Sequence, residues 1–426
     1  MLNTQEKRII ISTTIGSIFE IFDFLAFVFM SAIIADLFFP KNIHGLAILF
    51  TYLTITISYL LRPIGGLILG HLGDRYGRKS IFIISILLMS IPSFAIGLMP
   101  TFSQIGYVAT VLLIICRICQ GFSVGGEVPG SITYIAEKFS TQNHFFYCAW
   151  LTFGANMGVA LGSQSLKLLT SYTSHEFMYS IGWRIPFLVG GLLTIVGFYI
   201  RKSIGESEQF KAIQKTKQLS KAPLLTLFRT YRVQIICGIL LSIIVSLTTS
   251  VFHIFLPNLF ITYFHLTQAV SSNITAIGAL TLAISSLIIA YFSRYISPII
   301  IIRTAITGLI IVMTIITLNI VNLQALIQHN VNGLYLVVFI ISLLLAGVNG
   351  LFFGMLASLF PTNVRFSGVS VCYNFAFILG AGLTPLWTSS ILSMTHNYQY
   401  ITGICLIVAL IAFINTFLLQ KFINKH

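Results

Sequence analysis

Long apolar runs alternate with short polar segments along the whole chain. The longest polar segment, Arg201 to Arg232, has about thirty residues, and most of the others are short turns. Helical runs of about 20 residues span a bilayer, and helices keep every backbone polar group paired in lipid. The pattern therefore predicts an all-α membrane protein with twelve transmembrane helices. We place the spans at roughly 9–38, 45–70, 80–99, 104–136, 145–168, 183–201, 234–262, 270–292, 303–322, 333–357, 367–393 and 400–420.

The distribution of Lys and Arg predicts the orientation of these spans. If both termini lie in the cytoplasm, 19 of the 24 Lys and Arg residues fall in cytoplasmic segments, as the positive-inside rule requires. Residues 201–232 then form a cytoplasmic linker between two six-helix halves, residues 1–200 and 233–426. The first span is followed by no small-residue cleavage site and is interpreted as an uncleaved signal anchor. We expect a multi-pass protein of a bacterial inner membrane.

Composition narrows the class of protein further. The chain is 57% hydrophobic and 8% charged, whereas soluble domains carry about 25% charged residues. The net charge of +14 comes from basic residues scattered over short loops, which indicates topology and not a nucleic-acid partner. Cys116 and Cys119 form a CxxC inside an apolar span, so packing is the expected role. No phosphate-binding loop, nucleophile–base pair or metal cluster is evident, and we expect no enzyme activity, cofactor or metal.

One charged turn interrupts the apolar pattern between spans two and three. It reads GHLGDRYGRKS, from Gly70 to Ser80. Glycines permit a tight turn and close helix approach, while Asp74 and Arg78 are four residues apart and can form an ion pair. The corresponding segment of the second half, YFSRYISP near Tyr291, has neither glycine nor aspartate. The charged, glycine-rich turn is therefore present in the first half only.

Five motifs together resemble the metabolite:proton symporter branch of the major facilitator superfamily. They are the glycine turn, RICQGFSVGGE in span four, GWRIPFLVGG in span six, PTNVRFSG before span eleven and EIFDF in span one. The resemblance covers essentially the whole chain and implies alternating-access transport by two six-helix halves, without a cofactor. The substrate it implies is a small metabolite such as proline, betaine, 2-oxoglutarate, citrate or shikimate. It also implies that Asp74 faces the start of span eleven and latches the cytoplasmic side shut. The gating residues expected on this basis are Gly70, Asp74, Gly77, Arg78, Arg365, Ser367 and Gly368.

Ionisable residues inside spans are costly and point to function. Glu20 and Asp23 share one face of span one, and Glu127 lies in span four. No Asp or Glu follows Glu208, so a proton carrier must be one of these three carboxyls or His253. Two like charges one turn apart cannot both ionise cheaply. We therefore predict proton coupling at span one, with Glu127 as the next candidate.

The substrate prediction rests on the mixture of charges. Arg117 suits a carboxylate and the span-one acids suit an ammonium, which favours a zwitterion over the alternative, a mono- or dicarboxylate. The predicted substrate-binding residues are Arg117, Gln120, His253, Asn258, Tyr373, Asn374 and Trp387. An uncoupled facilitator or exchanger of di- or tricarboxylates is the alternative function, and drug efflux is disfavoured. The expected partners are the substrate, protons and the lipid bilayer, with the protein as a monomer.

Three further expectations concern single features. Glycines repeat every four residues in span four (Gly121, Gly125) and span five (Gly154, Gly158, Gly162), and we expect these faces to lie where the two halves meet. Lys167 is expected to extend toward the membrane surface. The chain stops six residues after the last span, without the long coiled coil of osmosensing members of the branch, which disfavours an osmosensory role.

Overall fold

The computed structural model describes residues 4–40, 44–140, 143–202, 205–216, 222–262, 266–318, 331–395, 397 and 399–423. Within this part of the chain, twelve helices are long and apolar enough to cross a bilayer. The prediction of an all-α protein with twelve spans is confirmed.

The first half contains six long helices with short pieces between them. A turn at Met30 ends the first helix and begins a short helix, Ser31–Phe38, so the predicted span 9–38 is two helices. A short helix, Phe102–Ile105, precedes the fourth long helix, and one helical turn with a π-helical turn, Met178–Gly182, precedes the sixth. The long helices are α1 (Thr4–Phe29), α2 (His44–Tyr76), α3 (Arg78–Leu98), α4 (Tyr107–Lys138), α5 (His144–Tyr172) and α6 (Arg184–Lys202).

The linker and the second half follow the same plan. Two short helices, Glu208–Lys215 and Pro223–Thr230, lie in the linker. The long helices are α7 (Arg232–Ser250), α8 (Gln268–Phe292), α9 (Pro298–Leu318), α10 (Val331–Ser358), α11 (Arg365–Phe377) and α12 (Gln399–Ile423). π-Helical turns extend α7 through Val251–Phe255 into Leu256–Thr262, and α11 through Ile378–Gly382 to Thr384–Thr395. Such turns are frequent at functional sites.

Successive long helices run in opposite directions across the bundle. The start of α1, the α2–α3 turn, the linker, the α10–α11 turn and the end of α12 therefore lie on one face, which we call the linker face, and the opposite face is the distal face. The two halves meet where α5 packs against α8 and α10, and where α2 and α4 pack against α11.

The glycine-lined faces of α4 and α5 pack helices together within the first half. Gly154 and Gly158 lie directly against backbone oxygens of α1, and Gly121 and Gly125 lie against the backbone of α2. A Cβ at any of these positions would overlap a neighbouring main chain, so glycine is required for the close approach. The expectation that these faces lie between the halves is wrong for Gly121, Gly154 and Gly158, which close helix pairs inside the first half. At Gly125 the backbone carbonyl also accepts a hydrogen bond from Asn374 of the second half.

Lys167 also differs from its expectation. Its Nζ donates a hydrogen bond to Asn273 Oδ1 at 2.9 Å, which links α5 to α8 near the distal face. Nearby, Gln164 Nε2 donates to the Ser272 carbonyl at 3.3 Å. The ammonium group finds its partner in the other half, so it need not reach the membrane surface.

Candidate functional site

The α2–α3 turn holds its conformation through one glycine. Gly77 has φ +116°, a backbone conformation that side chains other than glycine adopt only with strain. This residue separates α2 from α3 and places Asp74, at the end of α2, beside Arg78, the first residue of α3. Asp74 Oδ1 and Arg78 Nη2 are 3.1 Å apart, and both side chains are almost fully buried.

The Asp74 carboxylate faces the first turn of α11 in the other half. It accepts hydrogen bonds from the backbone N–H of Ser367 at 2.8 Å and of Phe366 at 3.3 Å. A helix N-terminus has free N–H groups and a positive dipole end, so this is a favourable place for a carboxylate. Gly70 and Gly368 lie in the same contact, Gly70 against Ser367 and Gly368 against the Phe360 ring.

Arg78 connects three chain segments at this point. Its Nη2 donates to Glu137 Oε1 at 3.0 Å and to the Thr362 carbonyl at 2.7 Å. Arg365 Nη1 lies 4.0 Å from Glu137 Oε1, and its Nε donates to the Phe360 carbonyl at 3.0 Å. The structure thus brings all seven predicted gating residues together at the linker face. Their role in gating stays a prediction.

Two residues of this contact were not predicted. Glu137, near the end of α4, is buried and bonds to Arg78. His144, at the start of α5, has its Nε2 3.0 Å from Ser358 Oγ and 3.3 Å from the Gly354 carbonyl of α10. In the sequence, both residues look like ordinary polar residues at the end of a helix. A cavity of about 320 Å3, lined in part by His144 and Arg365, lies between the ends of α4, α5 and α10.

A buried polar chain crosses the first half at the level of Asp23. Arg117 Nη1 donates to Gln120 Oε1 at 2.9 Å, and Gln120 Nε2 donates to Asp23 Oδ2 at 2.9 Å and to Ser93 Oγ at 2.8 Å. The Arg117 guanidinium also stacks on the Phe27 ring at 4.0 Å. Asp23, Gln120 and Arg117 are each at most 3% exposed. The Gln120 amide therefore bridges Asp23 and Arg117, two residues that the sequence predicts to lie in one site.

Glu20 belongs to a different neighbourhood from Asp23. It lines a small cavity of about 10 Å3 together with Glu127, which is room for about one water molecule. Glu20 also lies within electrostatic range of Tyr59 and, in the second half, of Tyr373. Since i and i+3 positions differ by about 60° around a helix, the two span-one acids face different neighbours.

Arg62 joins this second neighbourhood. Its guanidinium lies 4.1 Å from the Tyr59 ring and 5.6 Å from the Phe24 ring, and it is within electrostatic range of Tyr373. The side chain is buried, and its Nε has no hydrogen-bond partner among the described residues. Arg62 is thus a buried cation, with a spare donor, between the two halves.

The predicted substrate residues of the second half fall into different places. Tyr373 lies against Phe377 with ring centroids 4.1 Å apart and ring planes tilted by 30°. Asn374 Nδ2 donates to the Gly125 carbonyl at 2.8 Å, so it links α11 to α4. Trp387 packs in an apolar cluster with Leu259 and Ile401.

The remaining two predicted substrate residues lie in the segments that extend α7, Val251–Phe255 and Leu256–Thr262. His253 is buried in the π-helical turn, and neither ring nitrogen has a hydrogen-bond partner among the described residues. The Asn258 side chain lies outside the described residues. In the described part of the chain, no group of three or more His, Cys, Asp or Glu side chains could hold a metal ion. The substrate and proton-coupling assignments stay predictions.

Comparison with known proteins gives matches over most of the chain. A sequence profile of the Major Facilitator Superfamily matches residues 16–365. The glycine betaine/proline/ectoine/pipecolic acid transporter OusA of Dickeya dadantii is 27% identical over 98% of this chain and 84% of its own length. The proline/betaine transporter of Escherichia coli K12 is 28% identical over the same shares. The putative proline/betaine transporter of Staphylococcus haemolyticus is 30% identical over 94% of this chain and 86% of its own length.

Solved structures share the fold. The proton:xylose symporter XylE bound to 6-bromo-6-deoxy-D-glucose superposes with a TM-score of 0.79 at 15% identity, over 98% of this chain and 95% of that one. A bacterial homologue of the iron transporter ferroportin in an outward-facing state superposes with a TM-score of 0.69 at 15% identity, over 97% and 99%. This likeness confirms the predicted fold class of twelve helices in two halves.

Proposed function

The chain belongs to the Major Facilitator Superfamily, and we propose that it takes up a zwitterion of the proline or betaine type together with protons. It is a multi-pass membrane protein and a secondary transporter of a small organic solute. The substrate class and the coupling ion are the proposed parts. We further propose that residues 1–200 and 233–426 are the two moving halves, that 201–232 is the linker, and that the protein acts as a monomer.

The linker face is proposed to be the cytoplasmic face. The positive-inside rule supports this orientation. With both termini and the linker in the cytoplasm, 19 of the 24 Lys and Arg residues lie in cytoplasmic segments. In the present structure four side chains on this side of the membrane form hydrogen bonds between the halves. They are Asp74, Arg78, His144 and Asn374. The structure then corresponds to a transporter that is closed toward the cytoplasm.

The substrate is proposed to bind between Arg62 and Glu20. The single observation that carries this proposal is a buried arginine with a spare N–H that shares the neighbourhood of Tyr59 and Tyr373 with Glu20. The guanidinium fits a substrate carboxylate, and Glu20 attracts a substrate cation. The rings of Tyr59 and Tyr373 suit a quaternary or secondary ammonium, which binds over aromatic faces. Relatives named as proline/betaine transporters support the same chemistry.

Protons are proposed to bind at Asp23. The Asp23 carboxylate is 1% exposed, and its Oδ1 has no hydrogen-bond partner among the described residues, while Oδ2 accepts from Gln120. Gln120 donates to Asp23 and accepts from Arg117. A proton on Asp23 therefore weakens the hydrogen bond from Gln120 and, through it, the hydrogen bond that holds Arg117. Arg117 is therefore better assigned to the proton site than to the substrate carboxylate. Glu127 is kept as the second proton candidate because it lines a cavity with Glu20.

Uptake by purified protein in proteoliposomes tests the proposal. We expect saturable uptake of labelled proline or glycine betaine under an inward proton gradient, and its loss when a protonophore is added. An imposed sodium gradient alone should give only the background of protein-free vesicles. Arg62→Gln should raise KM at least tenfold, whereas Arg75→Gln, an exposed arginine of the same helix, should leave KM unchanged.

Two outcomes would contradict this function. Competition by citrate or 2-oxoglutarate, with none by zwitterions, would identify a carboxylate transporter. Equilibration of a zwitterion without any response to the proton gradient would identify an uncoupled facilitator.

A further inference from the structure

The linker docks on the gate through residues 205–210, which we call the linker brace. Ser207 Oγ donates to Glu137 Oε2 at 2.5 Å, and Tyr134 Oη donates to the Gly205 carbonyl at 2.5 Å. The backbone N–H of Lys79 donates to Glu206 Oε2 at 3.1 Å. These contacts join the brace to α3 and α4, so it is fixed to the first half.

Phe210 packs the brace against the central arginine of the gate. Its side chain is 2% exposed, and its ring lies 4.3 Å from the Arg78 guanidinium. Ser207 caps the short helix by accepting from the Phe210 N–H at 3.1 Å. On the same helix Lys211, Gln214 and Lys215 are exposed. One side of this helix therefore covers Arg78, and the other side faces away from the gate.

Gln209 extends the brace to the second half. Its Oε1 accepts from Thr362 Oγ1 at 3.1 Å and from Arg365 Nη1 at 3.2 Å. The second linker helix, Pro223–Thr230, packs against both α2 and α11, with Leu227 fully buried. The linker is thus in contact with both halves on the face where they are joined.

We propose that the linker brace is a second latch of the cytoplasmic gate, with Ser207 and Gln209 as its positioning residues. This inference rests on the proposed alternating-access function. When the halves separate at the linker face, the Gln209 contacts to Thr362 and Arg365 must break, because Ser207 and Phe210 hold the brace to the first half. Opening toward the cytoplasm then requires the loss of the brace contacts in addition to the Asp74 contact. The linker is a part of the gate and not a passive tether.

A distance measurement on the full-length protein tests this inference without measuring transport. Spin labels are placed at Lys7→Cys and Ser297→Cys, both exposed near the linker face, in a variant lacking the six native cysteines. In lipid nanodiscs without substrate, Gln209→Ala should increase the ratio of open to closed linker-face distances about fivefold. Ser207→Ala should change it in the same direction. Gln214→Ala, on the exposed side of the same helix, should leave it unchanged.

A conservative variant and a gate variant separate the possible failures. Gln209→Glu keeps the acceptor for Thr362 and Arg365, so it should retain the closed population. If Gln209→Ala and Ser207→Ala leave the distances unchanged while Asp74→Asn lengthens them, the linker brace is refuted and the gate stands. If none of the three changes the distances, the proposed gate itself fails.

Discussion

Replacing Asp74 by Asn removes one charge from the centre of the proposed gate. The carboxylate accepts two backbone hydrogen bonds from α11, at 2.8 and 3.3 Å, and pairs with Arg78 at 3.1 Å. Asn keeps the shape and one acceptor oxygen but loses the charge that the helix N-terminus favours. A charge in a favourable, partly buried site of this kind contributes about 2 kcal/mol. Because 1.4 kcal/mol corresponds to a tenfold change, the ratio of open to closed linker face should rise about 30-fold.

The size of this shift makes it measurable. A protein whose linker face is open in about 1% of molecules would reach about 20% in the variant. Spin-label distances between Lys7→Cys and Ser297→Cys report the two populations. Arg75→Gln is the matched control, since it removes a charge from an exposed position in the same turn. A distance distribution that is identical for Asp74→Asn and the parent protein would refute the latch.

Three further predictions concern packing, substrate contact and orientation. Gly158→Val should lower the free energy of unfolding by about 1–3 kcal/mol through overpacking against α1, and the melting temperature should fall. Gly403→Ala, at a position with open space around it, should leave the melting temperature unchanged. Equal melting temperatures for the two variants would contradict the packing at Gly158. Trp387→Phe should cost about 1 kcal/mol of stability. Because Trp387 packs in an apolar cluster, the KM of uptake should stay unchanged, and a tenfold higher KM would support its predicted contact with the substrate. A membrane-impermeant maleimide added to cells should label Ser174→Cys but not Gln214→Cys, and the reverse pattern would invert the proposed orientation.

The sequence was sufficient to predict the architecture because bilayer thickness fixes the length of each apolar run. It could not show the interruption at Met30, where apolar residues continue through the turn without Gly or Pro. The π-helical turns were equally hidden. The glycine stripes were recognised as packing surfaces, but a repeat of four residues does not say which helix packs against it.

The site was predictable only where two residues are close along the chain, as Asp74 and Arg78 are across the α2–α3 turn. The Asp74–Arg78 pair follows from an i, i+4 spacing, but its partner Ser367 lies 293 residues away and was expected only from the family resemblance. Glu137 stands beside Lys138 at a helix end, where an acid is ordinarily solvated, so its contact with Arg78 was missed. Gln209 carries no charge and lies in a polar linker. The Glu137 contact depends on how α3 and α4 pack, and the Gln209 contacts depend on how the two halves dock; periodicity records neither.

The claim that Asp23 carries the coupled proton is tested most directly by comparing accumulation with exchange in one set of proteoliposomes. Asp23→Asn should abolish concentrative uptake of proline or glycine betaine under an inward proton gradient, because an amide binds no proton near neutral pH. Counterflow, in which labelled substrate exchanges for unlabelled substrate without a gradient, should survive, since Arg62 and Glu20 are intact. If Asp23→Asn still concentrates substrate in a pH-dependent way, Asp23 is not the carrier and the proton site moves to Glu20 or Glu127.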